Sequence, residues 1–179
     1  MSQTLLAPAE EAPHAADLVF EDLYRSSRDD VYAYVAGLLR DSASAEDVTA
    51  AAFERAYRKR RRFDARRGSP RAWLFGIARN AALDELRRRG RQRRLVADPA
   101  DAGAAAPLEE AERSVRRLAL RDALGRLAPG ERELVALKFF AGLSNAEIAG
   151  VLGISESNAG TRLHRTIAKL RAEVTHEAA

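Results

Sequence analysis

The sequence predicts an all-α protein made of two small helical domains joined by a flexible linker. Apolar residues recur at intervals of three and four residues in both halves of the 179-residue chain, which is the period of an amphipathic helix. No stretch of useful length alternates apolar and polar residues as a half-buried strand would. Between the halves, residues 94–115 contain two prolines, one glycine and few bulky side chains, so a core is not expected there.

The first predicted domain spans residues 18–93 and follows a tail, residues 1–17, whose Ala, Pro and acidic composition is typical of disorder. Its first helix begins at Leu18 and ends before residues 41–44. Ser44 and Asp47 resemble a helix-start capping pair for a second helix, which runs to about residue 60 with five side chains inward. These are Val48, Ala52, Phe53, Ala56 and Tyr57.

A basic loop, residues 61–68, is expected around Phe63, before a third helix. Ser69 is a good N-cap and Pro70 suits the first helical position. Phe63 and Trp73 stand among arginines, a combination that suits single-stranded DNA, where bases stack on rings and Arg holds the backbone. Trp73 alone is better interpreted as a core residue. The outer face of the third helix carries a stripe at i, i+4, i+7 and i+8: Asn80, Asp84, Arg87 and Arg88.

The second predicted domain spans residues 116–175 and contains a helix-turn-helix over residues 144–170. Ser144 and Glu147 form a capping box, Gly153 permits a tight turn, and Ser155 caps the second helix. The small Ala149 suits a close helix crossing. Two helices joined in this way place the second in the major groove of DNA. The outward positions of that helix can bond bases or phosphates: Ser157, Asn158, Thr161, Arg162 and Arg165.

The charge is unevenly distributed along the chain. The net charge is +4, yet residues 55–94 hold sixteen Lys and Arg against three acidic residues. Residues 95–115 hold one Arg against five acidic residues. A basic segment beside an acidic connector is typical of a protein that binds a polyanion, although a solvated surface in an Arg-rich protein would look similar.

Composition argues against several other classes. The chain has no Cys, which excludes disulfides and thiolate metal sites, and its three His are far apart. No HExxH, P-loop or nucleophile elbow occurs, so we expect no enzyme, no metal site and no cofactor. No segment is apolar enough for a signal peptide or a membrane span, which predicts a cytoplasmic protein without membrane contact.

Two long segments carry a family resemblance. AEDVTAAAFERAY (residues 45–57) and RFDARRGSPRAWLFGIARNAALDELRRR (residues 62–89) resemble region two of extracytoplasmic-function (ECF) sigma factors of bacterial RNA polymerase. LRDALGRLAPGERELVALKFFAGLSNAEIAGVLGIS (residues 120–155), followed by TRLHRTIAKLR, resembles their region four. The resemblance covers roughly residues 18–174, and both halves in this order are specific to the family.

The resemblance implies a sigma factor that initiates transcription of a specialised, stress- or development-related regulon. Region two would melt and bind the minus-ten promoter element through a set of matching positions: Arg60, Arg61, Phe63, Ser69, Arg79, Asn80, Asp84, Arg87 and Arg88. Region four would read the minus-thirty-five element through the outward residues of the recognition helix. The helix that docks on the β′ clamp helices of core polymerase would present Asp47, Val48, Ala50, Ala51 and Phe53.

The resemblance also implies partners and shows departures. The expected partners are core polymerase, through its β′ clamp helices and β flap, promoter DNA, and an anti-sigma factor; without them we expect a monomer.

The family usually has Gln-Glu where this chain has Ala50-Ala51, and Lys or Arg in place of Gly160. The first departure would weaken binding to core polymerase, and the second would weaken the recognition helix and remove a DNA contact.

Two alternatives stay open at this point. A transcription factor that binds duplex DNA without polymerase would need a dimer interface or a sensor domain, and no segment is left over for either. An RNA-binding adaptor is the other alternative. Only a sigma factor requires a stable complex with core polymerase.

Overall fold

A computed structural model describes residues 15–95 and 122–177, with side chains over residues 20–92 and 122–174. Throughout these ranges the backbone is helix, turn or short connection, with no strand, which confirms the all-α prediction. The predicted tail up to residue 14, residues 96–115 of the predicted linker and the first residues of the predicted second domain, 116–121, lie outside the described residues. Among the helices that are described, none is long and apolar enough to cross a membrane.

The N-terminal domain, as described over residues 15–95, contains three long helices. Two 3-10 turns, Arg60–Arg62 and Ala65–Arg67, replace the predicted basic loop. The helices are α1 (Ala15–Leu39), α2 (Ser42–Lys59) and α3 (Pro70–Leu95). All three pack against one another, so this part is a compact three-helix unit.

The starts of α3 and α2 test two capping predictions. The Ser69 hydroxyl accepts a hydrogen bond from the Ala72 backbone N–H at 3.1 Å, which confirms the predicted cap of α3. The Ser44–Asp47 pair was the wrong choice for α2, because the helix has already begun at Ser42 and Asp41 occupies the N-cap. Ser44 lies inside the first turn and donates its hydroxyl hydrogen bond back to Asp41 at 2.7 Å.

The C-terminal domain, as described over residues 122–177, consists of shorter helices and one long one. Its first helical segment, residues 122–126, is named α4. The others are α5 (Pro129–Phe139), α6 (Asn145–Leu152) and α7 (Glu156–Glu177). Pro129 is the first residue of α5, where its missing N–H costs nothing, and Glu131 accepts a hydrogen bond from the Ala128 N–H at 2.8 Å.

The two domains pack against each other. Helix α1 contacts α5, and α3 contacts α6, so one apolar cluster runs through both domains. Its largest fully buried side chains come from both halves of the chain: Val31, Tyr34, Val35, Leu74, Phe75, Leu134, Leu137, Leu143 and Ile148. Tyr57, predicted to face inward, is instead 46% exposed near the end of α2. Its ring packs edge-to-face with Phe20 and under the Arg60 guanidinium, 3.7 Å away, and is not part of the core cluster.

The turn between α6 and α7 depends on Gly153, whose φ of 68° is the left-handed conformation that the sequence predicted. We expect Gly153→Ala to lower the free energy of unfolding by about 1 kcal/mol, because a Cβ strains this conformation. Gly150 is the control: it lies within α6, where no atom comes within 4 Å of an added Cβ. Gly150→Ala should leave stability unchanged or raise it by up to about 1 kcal/mol. Equal melting temperatures for both variants would contradict this account of the turn.

Candidate nucleic-acid interface

The outer face of α3 presents the predicted stripe to solvent. Asn80, Asp84, Arg87 and Arg88 are all exposed along one side of the helix. Asp84 is held between two arginines, with Arg87 at 3.2 Å and Arg55 at 3.9 Å. The stripe therefore combines a neutral amide, which can both donate and accept, with arginines that suit phosphates.

The 3-10 turns before α3 place aromatic and basic side chains together. The Phe63 and Trp73 rings lie 5.5 Å apart between centroids, tilted by 55°. Trp73 also packs against the core cluster, which agrees with its structural interpretation. Arg61 is exposed, whereas Arg60 lies over Tyr57 and donates to that residue's carbonyl at 2.9 Å. This surface could stack bases on Phe63 while neighbouring arginines contact the backbone.

Two predicted minus-ten residues are instead engaged by the C-terminal domain. Arg79 donates a hydrogen bond from Nε to Glu133 at 2.7 Å, and the Ser69 hydroxyl donates to Glu147. That bond is the first cause of the lowered pKa of Glu147, ahead of the backbone N–H of Ser144. In this arrangement neither Ser69 nor Arg79 is available to DNA without the loss of a contact.

Glu85 organises the basic end of α3 from the inner side. Its carboxylate accepts from Arg88 at 2.8 Å and from Arg89 at 2.9 Å. Hydrogen bonds from Arg88 and then Arg89 lower the pKa of Glu85 from 4.5 to about 2. Arg89 also reaches Asp41 at 2.7 Å, so this network ties α3 to the start of α2.

The low pKa of Glu85 predicts an acid-dependent loss of stability. A carboxylate whose pKa falls on folding stabilises the fold above its unfolded pKa of 4.5, and this contribution disappears as pH falls towards 2. We therefore expect Glu85→Gln to lower the melting temperature at pH 6 and to have almost no effect near pH 2. Glu54→Gln, which removes an exposed pair with Arg58, is the control and should change little at either pH. A pH-independent effect of Glu85→Gln would contradict this ionisation account.

The helix-turn-helix has the predicted local chemistry. The Ser144 hydroxyl accepts from the Glu147 N–H at 3.2 Å, while the Glu147 carboxylate accepts from the Ser144 N–H at 2.8 Å. The Ser155 hydroxyl accepts from the Asn158 N–H at 3.2 Å, so it caps α7 as predicted. Ala149 is buried in the shared cluster.

The outward face of α7 is open. Its five predicted DNA-contacting residues are exposed: Ser157, Asn158, Thr161, Arg162 and Arg165. The Arg162 side chain lies against the start of α5. Its Nη2 is 3.2 Å from the place that a Cβ at Gly130 would occupy. Gly160 faces α6, where an added Cβ would meet Asn145 Nδ2 at 3.4 Å, so this position lies near the helix crossing.

The comparisons with known proteins decide the family. Residues 23–92 match the family Sigma-70 region 2, and residues 117–170 match Sigma-70, region 4. RNA polymerase sigma factor CarQ of Myxococcus xanthus is 40% identical over 158 residues, which are 85% of this chain and 87% of CarQ. The ECF RNA polymerase sigma factor SigL of Mycobacterium tuberculosis is 32% identical over 168 residues, covering 93% and 94% of the two chains. The chain belongs to the ECF sigma-70 family.

The fold of this sigma factor also has a solved counterpart. The sigma factor RpoE of Bartonella quintana, crystallised in complex with the anti-sigma factor NepR, superimposes with a TM-score of 0.75 at 23% identity. The superposition covers 88% of this chain and 97% of that one. As a member of the family, the chain is a transcription initiation factor and not an enzyme, and its partners are core RNA polymerase and promoter DNA.

The sigma factor's α2 carries the residues expected to dock on polymerase, and they divide into two groups. Asp47 and Ala50 are exposed, and Ala51 is half-buried. Val48 and Phe53 are 9% and 6% exposed and face the core of the domain. A docking surface on α2 can therefore use Asp47 and Ala50 directly, whereas Val48 and Phe53 hold the helix in place.

Sequence reasoning missed the residues that join the two domains. Glu133, Tyr34 and Arg71 carried no motif, and each finds its partners far along the chain. Arg71 donates to the carbonyls of Phe140, at 3.1 Å, and Ala141. The one local signal was that Glu133 stands four residues before Leu137, on the apolar face of its helix, and this signal identifies no partner.

Proposed function

We propose that region two of this sigma factor docks on the β′ clamp helices and opens the minus-ten element, while region four reads the minus-thirty-five element. The observation that carries the proposal is the pair of exposed polar faces on α3 and α7, each within a matched sigma region. Asn80 and Arg165 represent the two faces. Both faces are helical, so their side chains are held at fixed spacing.

The minus-ten role rests on chemistry suited to an unpaired strand. Phe63 offers a ring for base stacking, and Asn80 can bond the edge of an extruded base. Arg87 and Arg88 both lie about two turns beyond Asn80 on the exposed side, where they can contact phosphates. Asp84 pairs with Arg87 at 3.2 Å, an exposed contact that the guanidinium can exchange for a phosphate. The remaining members of this surface are Arg60, Arg61, Ser69 and Arg79.

The minus-thirty-five role rests on α7 as a recognition helix. Ser157 and Asn158 lie in its first turn, where a recognition helix contacts base edges. Thr161 and Arg165 continue the same exposed side. Arg162, drawn towards α5 in the free protein, would swing outwards to meet a phosphate. Steep loss of promoter affinity with salt is the expected consequence of these phosphate contacts.

Polymerase docking would use both regions. On region two, the exposed Asp47 and Ala50 of α2 would meet the β′ clamp helices. On region four, Phe139 and Phe140 are 64% and 46% exposed at the end of α5, an unusual place for two large apolar side chains. Exposed apolar patches mark interaction sites, so we assign this one to the β flap.

The Ala50-Ala51 departure gives a gain-of-function prediction. We expect the double variant Ala50→Gln, Ala51→Glu to bind core polymerase about tenfold more tightly, because it restores two polar contacts worth about 1 kcal/mol each or less. Competition binding against fluorescent wild-type protein would measure the change. Ala43→Gln, at an exposed position in the first turn of the same helix, is the control and should leave affinity unchanged. Equal affinity for wild type and double variant would contradict docking through this face.

Regulation by an anti-sigma factor is part of the proposal. Its support is the family, together with the superposition on a sigma factor whose crystal structure contains one. We further propose that the protein acts in the cytoplasm as a monomer until it meets its partners. Its targets would be a specialised regulon.

Site-specific photo-crosslinking tests which promoter element each of the two faces contacts. A photoreactive residue placed at Asn80 or at Arg165, in a complex of core polymerase and a target promoter, would link to the DNA strand that it touches. The expected crosslinks fall near position −10 for Asn80 and near −35 for Arg165. Crosslinks from both positions to one element, or an exchange of the two, would contradict the assignment.

A further inference from the structure

We infer that the free sigma factor is held closed by a latch in which region four masks part of the minus-ten surface of region two. The latch is defined as Glu133 with its two donors, Tyr34 and Arg79. The masking rests on the proposed function of Arg79 and Ser69, whereas the closed state itself does not. The latch would have to release before region two could hold an unpaired promoter strand.

The latch joins helices that are far apart in sequence. Glu133 of α5 is 9% exposed, and its carboxylate accepts from the Tyr34 hydroxyl at 3.1 Å and from Arg79 Nε at 2.7 Å. Tyr34 is fully buried, and this burial, followed by the nearby Glu133 charge, raises its pKa well above 10. Tyr34 therefore remains a neutral donor at any physiological pH. A buried carboxylate with a charged and a neutral donor is a satisfied, specific contact.

Two further contacts cross the same interface. The Ser69 hydroxyl donates to Glu147, the capping residue of α6. The Arg71 guanidinium donates to the carbonyls of Phe140 and Ala141, and on the region-two side it is held by Asp30 and, at 3.1 Å, by Ser27. These contacts surround the apolar cluster shared by both domains, so apolar burial and polar contacts favour the same closed arrangement.

The chemistry of the latch explains how it would compete with DNA. A carboxylate and a phosphate are both anionic acceptors for the same guanidinium, so Glu133 occupies Arg79 as a phosphate would. Asn80, Arg87 and Arg88 stay exposed in the closed arrangement, as does the recognition face of α7. The masking is therefore partial. The exposed residues could contact duplex DNA first, and region two would bind the unpaired strand fully only after DNA replaces Glu133 as the partner of Arg79.

The chain allows a direct test of closure, because it has no native cysteine. Ala43→Cys in α2 and Ala172→Cys in α7 are exposed positions, outside the proposed DNA and polymerase contacts, that can carry a fluorescent donor and acceptor. Energy transfer between them reports the separation of the two regions in the free full-length protein. Far-UV circular dichroism and thermal melting would verify that each variant is folded.

Tyr34→Phe is the central variant, since it removes the hydroxyl donor without changing charge or ring packing. Glu133→Gln removes the charge that holds Arg79, and Glu173→Gln, which removes a region-four carboxylate paired with Arg126, is its matched control. We expect Tyr34→Phe and Glu133→Gln each to shift the closed–open equilibrium about fivefold towards the open form, the effect of one ordinary hydrogen bond. The control should retain wild-type energy transfer. Unchanged transfer in both latch variants would overturn the latch.

The masking is tested separately with a fluorescein-labelled single strand of twelve nucleotides of random sequence. At low salt we expect Tyr34→Phe to bind this probe several-fold more tightly than wild type. Arg79→Ala should also open the chain but bind no more tightly than wild type, since it lacks the released contact. Opening of Tyr34→Phe without tighter DNA binding would overturn the masking. Tight binding by Arg79→Ala would also overturn it and would place the error in the proposed role of Arg79, leaving the closed state intact.

Discussion

Replacing Asn80 by alanine is expected to slow promoter opening about tenfold or more while leaving the affinity for core polymerase unchanged. Asn80 is exposed on the outer stripe of α3 and is the stripe's one neutral side chain that can both donate and accept. The loss of one or two hydrogen bonds to an extruded base costs about 1–3 kcal/mol, and each 1.36 kcal/mol corresponds to about a factor of ten in rate. Permanganate reactivity of unpaired thymines, followed over time, would measure the opening.

Gln92→Ala is the matched control for this variant. Gln92 is an exposed amide side chain on the same helix, but it lies one turn beyond Arg88, the last residue of the stripe. The control should open promoters at the wild-type rate. If Asn80→Ala also opened promoters at that rate, the melting surface would have been placed on the wrong face of α3.

Replacing Ile148 by alanine should have the largest effect on stability. Ile148 is fully buried in α6, within the cluster shared by the two domains. Removing such a side chain and leaving a cavity costs about 2–5 kcal/mol, a large part of the 5–15 kcal/mol that typically holds a domain folded. We therefore expect loss of the helix-turn-helix and of minus-thirty-five binding together. Thermal melting and duplex-promoter binding would measure the two effects.

Val151→Ala provides the comparison within the same helix. Val151 is only half-buried, so its truncation should cost about 1 kcal/mol or less and should preserve DNA binding. A melting temperature for Ile148→Ala as high as that of Val151→Ala would contradict the assignment of Ile148 to the core.

The local features of the fold could be predicted because each has a nearby chemical signature. Ser144 and Glu147 are three residues apart and cap each other, and Gly153 takes the left-handed conformation that only a residue without a Cβ adopts readily. Ser69 caps α3 as its position before Pro70 indicated. At the start of α2 the local pattern misled: Ser44 and Asp47 have cap spacing, but the helix begins earlier, with Asp41 at the N-cap position.

The packing of the two domains could not be predicted, because nothing local encodes it. Glu133 and Tyr34 are 99 residues apart, and Glu133 and Arg79 are 54 apart. Each residue alone looks like an ordinary surface or core position. A related limit applied to Val48 and Phe53: helical spacing placed them inward while the family resemblance placed them on the docking surface, and only the packing of α2 decides for the inward position. Long-range contacts therefore decide which predicted site residues are accessible.

Runoff transcription with purified core polymerase is the most direct test of the central claim that this chain is a sigma factor. Genomic promoter fragments would be transcribed with and without the protein. The account predicts discrete transcripts that require the protein and share a pair of upstream elements spaced as minus-ten and minus-thirty-five sites. Failure of the protein to bind core polymerase at all would contradict the claim.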